Sequence, residues 1–218
     1  MSKLTWDGVG EKEFEVGVSK GVLYTFDDKD NKWVGVAWNG LTNVTESPEG
    51  GDAEKFYADN QLYASIRGNE DFSGSIECFT YPKEFEACIG HAEAAPGVYI
   101  GQQSRKVFCL CYRSEIGNDT NPEAGYKLHI VYNCTANAPE MSHDTTEDSV
   151  SLEPMSFDYD STPVQVTGHK PTSSVTINSL TVPKAKLTTL EDALYGTTEA
   201  DAYLPLADAL IGMLKATT

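Results

Sequence analysis

Alternation between apolar and polar residues from Trp38 to Gly90 constrains this chain more than any other feature. Leu62, Ala64 and Ile66 alternate with Tyr63, Ser65 and Arg67. Phe72, Gly74, Ile76 and Cys78 alternate with Ser73, Ser75 and Glu77. A period of two sends successive side chains to opposite faces of a strand. With Gly68-Asn69-Glu70-Asp71 as a turn, the two runs read as one antiparallel hairpin, apolar on one face and wet on the other. Upstream, Glu46, Ser47, Pro48, Glu49, Gly50, Gly51 and Asp52 read as a loop with no large apolar side chain to bury, one that is solvated or held by a partner. Downstream, Pro82 suits the first turn of a helix. Phe85, Cys88 and Ile89 make one stripe to bury, and Gly90 supplies a left-handed stop. A helix this short must dock on a sheet.

The same period extends over most of the chain. Phe14, Val16 and Val18 alternate with polar neighbours, Lys20-Gly21 reads as a turn or bulge, and residues 27–32 as a hairpin loop. Trp33 to Thr45 reads as one strand kinked at Asn39-Gly40. Lys106 to Arg113 is apolar on both faces and therefore central, with Tyr126 to Cys134 as its antiparallel partner and Val150 to Tyr159 as a further extended segment. The fold class is mainly β and antiparallel. Gly, Pro and Ser concentrate near Thr167–Pro171, which divides a β domain (1–167) from an extension (168–218). The extension holds a short strand at Val175–Ile177 and two short helices. Thr188 and Glu191 form a capping box for the first helix, with Leu187, Leu190 and Leu194 on its apolar face. The second begins near Pro205 and carries Leu206, Leu210, Met213 and Leu214. Both helices need a surface to cover, and their own β domain is the first choice.

Charge narrows the partners. Sixteen basic residues stand against 33 acidic ones, a net charge of −17. Nucleic-acid affinity comes largely from Lys and Arg on phosphates, so such a chain tolerates DNA without binding it. No apolar run is long enough to span a membrane, and no signal-peptide pattern follows the first residues. Cys78, Cys88, Cys109, Cys111 and Cys134 match no zinc spacing and read as reduced, buried thiols of a protein folded in a cytoplasm. His91, His129, His143 and His169 are scattered, with His129 read as a hydrogen-bonded structural histidine. Asp28/Asp30 and Asp158/Asp160 read as solvated acids. Nucleophile elbows and phosphate loops are missing from the sequence. The expectation is a protein without enzymatic activity, metal or cofactor.

Read in order, WNGLTNVTESPEGG, YADNQLYA at 57–64, NEDFSGSIE, YPKEFEACIG and the far LEDALYG resemble the major tail proteins of long-tailed, non-contractile bacteriophages, the subunits of the tail tube. The resemblance implies a β-sandwich or half-barrel with a flanking helix. It implies a homo-oligomer, with six subunits closing a ring by sheet continuation and rings stacking into a hollow tube. DNA passes through that tube unbound. The implied partners are tail tip, tape-measure and tail terminator proteins, and the implied location is the virion after assembly in a host cytoplasm. By the same resemblance, residues 46–52, extending to Tyr57, are an inter-ring loop. Tyr63, Ser65, Arg67, Ser73, Ser75 and Glu77 are candidate lumen residues, and the helix of Pro82, Phe85, Cys88 and Ile89 lies outside or between subunits. Arg67 alone departs from an acidic lumen. The alternative is a surface-displayed carbohydrate-binding or adhesive β-sandwich, with Tyr57, Tyr63 and Tyr99 as stacking platform.

Overall fold

The computed structural model describes residues 4–68, 70–141, 145 and 152–215. Asn69 of the expected turn, His143, and residues 150–151 of the expected Val150–Tyr159 segment lie outside them. In chain order the strands are β1 (Phe14–Asp27), β2 (Lys32–Trp38), β3 (Leu41–Gly50), β4 (Ala53–Ala58), β5 (Gln61–Arg67), β6 (Glu70–Cys78), β7 (Ala92–Ala95), β8 (Val98–Ile100), β9 (Phe108–Gly117), β10 (Gly125–Ala136), β11 (Met155–Ser161), β12 (Ser174–Asn178) and β13 (Tyr203–Leu204). A 3₁₀ helix (Lys83–Ala87) follows β6. Helix α1 (Lys184–Tyr195) follows β12, and α2 (Ala207–Leu214) follows β13.

Nine strands form one antiparallel sheet in the order β13-β2-β1-β9-β10-β11-β6-β3, and β12 pairs on β10 beside β11. The run that is apolar on both faces became β9, buried along most of its length between β1 and β10. The sheet folds over on itself, so that β11, β6 and β3 lie across β1, β9 and β10. Leu23, Leu110 and Val131 from one layer meet Ile76, Phe157 and Tyr159 from the other. Phe85 of the 3₁₀ helix plugs this interior, its ring 4.6 Å from Trp38, 5.4 Å from Phe108 and 5.2 Å from Phe157. Because β1 and β3 meet without pairing, the described strands make a half-barrel rather than a closed barrel.

The outer face of β1, β9 and β10 is covered by the C-terminal helices. Leu187, Leu190, Leu194 and Leu210 pack over Val22, Tyr24, Cys111 and Leu128. Tyr24 donates a 2.6 Å hydrogen bond to the Leu194 carbonyl, tying α1 to the sheet. The segment after residue 168 thus folds back on its own β domain, adding β12 and β13 to the same sheet.

Three local expectations are corrected. The chain from Trp33 to Thr45 is two strands, because Asn39-Gly40 turns a corner (Gly40 φ +79°) that sends β2 to β1 and β3 to β6. Thr188 caps nothing. Helix α1 starts a turn earlier, after Pro183, and the Thr188 hydroxyl donates back to the Lys184 carbonyl at 3.0 Å. Third, the hairpin expected from Leu62 to Cys78 does not form. β6 is paired on one edge by β3, from Leu41↔Cys78 to Gly50↔Glu70, and on the other by β11. With both edges of β6 occupied, β5 turns back on β4 instead.

Candidate assembly surface

Two consequences follow from that pairing. Glu46, Ser47, Pro48, Glu49 and Gly50 are a strand, not a loop, and only Gly51 and Asp52 connect β3 to β4. Pro48 sits on the sheet's outermost strand, where a missing N–H is tolerated. The projecting element is the β4–β5 hairpin, a two-stranded sheet separate from the main one. Its tip is Asp59-Asn60, both with positive φ (49° and 62°), as a two-residue type I′ turn requires. Along this arm Phe56, Tyr57, Leu62, Tyr63 and Ile66 are exposed, Tyr63 to 80%. A two-stranded ribbon has no third layer under which to bury such residues.

The six candidate lumen residues divide between two places. Tyr63, Ser65 and Arg67 are on the arm. Ser73, Ser75 and Glu77 are on β6, on the face opposite buried Ile76 and Cys78. Register extends this second group into a surface three strands wide. Asn43, Glu77 and Ser156 are in line, as are Thr45, Ser75 and Asp158, then Ser47, Ser73 and Asp160, with Glu49 opposite Asp71. Alternation turns these side chains away from the core residues Val44, Ile76, Phe157 and Tyr159. The face holds five carboxylates and no Lys or Arg. Gly74 keeps it closely stacked, since a Cβ there would lie 2.2 Å from the Thr45 carbonyl and 2.4 Å from the Tyr159 hydroxyl. Arg67 stands away from this face. It lines a cleft of about 660 Å³ at the root of the arm with Lys170 and Gln165.

At the other end of β6 stands the flanking helix. Pro82 precedes it, Phe85, Cys88 and Ile89 are buried, and it is a 3₁₀ rather than an α-helix. The small β7–β8 hairpin grows from it, anchored by His91 N–H to the Glu86 carbonyl and Gln103 N–H to the Gly90 carbonyl, both 2.9 Å. Tyr99 is on this hairpin, at the end of β6 opposite Tyr57 and Tyr63. The three tyrosines therefore do not form one stacking platform.

A polar cluster within the half-barrel was not foreseen. Ser114, buried in β9, donates to Glu15 of β1 at 2.6 Å, and His129 Nε2 lies 2.9 Å from the same hydroxyl and 3.2 Å from Glu15. His129 stacks on Tyr112 with centroids 4.7 Å apart, and the Tyr112 hydroxyl donates to Glu46 at 2.8 Å. The Lys127 ammonium bonds Glu15. That contact, then the Ser114 hydroxyl, holds the Glu15 carboxyl below its ordinary range. Four strands, including β3, are joined here. The hydrogen-bonded role read for His129 is what the structure shows. Its partners had no sequence signal, since Glu15 is one more polar position on an alternating strand. The Ser–His pair resembles a nucleophile and base, but His129 Nδ1 is 3.9 Å from Glu46, too long for an orienting hydrogen bond. All five thiols are buried and unpaired, and burial pushes Cys88, Cys109 and Cys111 up to about 12, far from a reactive thiolate. Among the described residues there is no cluster of metal-ligating side chains, and no helix is long and apolar enough to cross a membrane.

No family model and no curated protein matches this chain. Among solved structures it is similar to a chain of an extracellular contractile injection system, the PVC sheath–tube complex in its extended state. Identity is 8% and the TM-score 0.36, over 73% of this chain and 88% of that one. It is also similar to a chain of the 6-fold symmetrised baseplate of the anti-feeding prophage, at 6% identity and TM-score 0.38, over 81% of this chain and 97% of that one. Likenesses this slight do not by themselves assign a function.

Proposed function

We propose that this protein is a structural subunit of a phage tail tube that assembles with copies of itself and conducts DNA without binding it. The sequence resemblance makes that tail non-contractile. The observation that carries the reading is the three-strand face of β3, β6 and β11, acidic, free of cations and bounded by β3 at the sheet's edge. A long unpaired edge invites strand pairing with another chain. When such a contact is head-to-tail and closes, it makes a ring, and stacking unlike ring faces makes a tube. In that ring the acidic face lines the channel, where like charge prevents the phosphate contacts that would stop DNA from sliding.

The test is negative-stain microscopy with light scattering on the purified protein across a salt series. Hollow rings or tubes are expected, favoured by salt because screening relieves repulsion between subunits of net charge −17. A monomer that stays monomeric at every salt and protein concentration, with or without a tail tip to nucleate it, would overturn the reading.

A further inference from the structure

Two elements stand off the main sheet, and they stand at its opposite ends. The β4–β5 arm leaves β6 at Glu70, and the β7–β8 hairpin follows the 3₁₀ helix beyond Cys78. Nine residues of strand, about 30 Å, separate the two roots. Both are two-stranded, and both expose large apolar side chains. Those of the arm are Phe56, Tyr57, Leu62, Tyr63 and Ile66. At the far end they are Val98, Tyr99 and Ile100, with Phe79 just past the end of β6.

Charge sets these two regions apart from the rest of the chain. Residues 51–69 carry three acids and two bases, and residues 79–107 carry three of each, in a protein of net charge −17. Nearly all of the repulsive charge therefore lies elsewhere. Two copies meeting through these ends bring apolar surface together with almost no net like charge between them. A further exposed apolar group, Leu4, Trp6 and Val9 with Phe14 and Val16, is set among Asp7, Glu11 and Glu13 against Lys12 alone, a balance less neutral than that of either end. A six-residue ribbon reaches about 20 Å from its root, enough to cross a subunit boundary.

We infer that the arm of one copy seats on the β7–β8 hairpin and Phe79 of the copy in the next ring. This rests on the tube reading and names the two surfaces that make its rings stack. The arrangement is head-to-tail, since neither surface meets its own kind, and it therefore propagates.

Site-specific cross-linking tests it. Copies carrying Tyr63→Cys are mixed with copies carrying Tyr99→Cys, assembled and mildly oxidised, then resolved on a non-reducing gel. The native thiols are buried and do not compete. The mixture is expected to give a linked dimer and each variant alone none. A double variant carrying both cysteines is expected to give a ladder. In parallel, Tyr99→Glu places charge on the accepting surface and is expected to leave rings that no longer stack. Tubes seen by microscopy without the mixed cross-link, or normal tubes from Tyr99→Glu, overturn the pairing while leaving the tube reading intact. Absence of rings and tubes from the unsubstituted protein overturns the tube reading and the pairing together.

Discussion

At the scale of single residues, close contacts rather than exposed chemistry hold the half-barrel in shape. Glu15 draws together Lys127, Ser114 and His129 from two neighbouring strands. Its folded carboxyl titrates below the ordinary value, so its contribution is present above the unfolded pKa, about 4.3, and is lost as pH falls through the lower folded value. Glu15→Gln should lose on the order of 1 kcal/mol at pH 7, after discounting for solvent screening. That gap should close in denaturant melts run below pH 4 (a gap unchanged by pH would contradict it). Gly74 is the second case. Tyr159 and Thr45 occupy the space a methyl group would need, so Gly74→Ala should cost about 1–3 kcal/mol and loosen β3 from β6. Calorimetry on the purified variant measures this, and an unchanged melting temperature would contradict it. Apart from the hydrogen-bonded role of His129, none of this was legible in the sequence. A glycine alternating with serines on a strand looks the same whether or not a tyrosine fills the space above it.

At the scale of elements, the sequence was most readable where side chains report burial and least readable where partners are chosen. The doubly apolar β9, its partner β10, the stripe of Phe85, Cys88 and Ile89, and the face of α1 were all legible, because apolar spacing follows directly from what must be buried. On α2, Leu210, Met213 and Leu214 pack as expected, whereas Leu206 precedes the helix and is exposed. Pairing was not. The alternation in β5 and β6 is compatible with a hairpin between them, and the decisive facts are long-range: β6 already has β3 and β11 on its edges. A local signal did exist in Asp59-Asn60, two residues that tolerate positive φ at a two-residue turn. Gly68-Asn69 downstream looked the stronger turn. The candidate site moved accordingly. The element proposed to join rings is the arm rather than residues 46–52, and the lumen candidates on β6 acquired Asp158 and Asp160, which had read as ordinary surface. Because Gly50 and Glu70 are paired neighbours, residues 51–69 can be replaced by an Asn-Gly turn without disturbing the ladder. That variant should melt like the parent and form no tubes in electron micrographs. Normal tubes from it would remove the arm from assembly.

At the scale of the whole molecule, one folded sheet presents three surfaces to three surroundings. The interior face packs around Phe85, the outer face of β1, β9 and β10 is covered by the C-terminal helices, and the outward face of β3, β6 and β11 stays polar and acidic. In the proposed tube the acidic surface faces the channel, the edge strand joins neighbours within a ring, and the ends of β6 join one ring to the next. The channel face uses the outward side chains of β3, β6 and β11, the ring edge uses the free backbone of β3, and the stacking surfaces are the two hairpins off the main sheet, so the roles do not compete for the same groups.

The most direct test is to find which surface faces the channel. Ser75 lies at the centre of the acidic face, so Ser75→Cys can be assembled, labelled with a small gold–maleimide and viewed end-on by electron microscopy. Gold density is expected inside the wall, against the axis, while a Tyr203→Cys label on the edge strand β13 stays off it. Gold from Ser75→Cys on the outside of the tube would contradict the account.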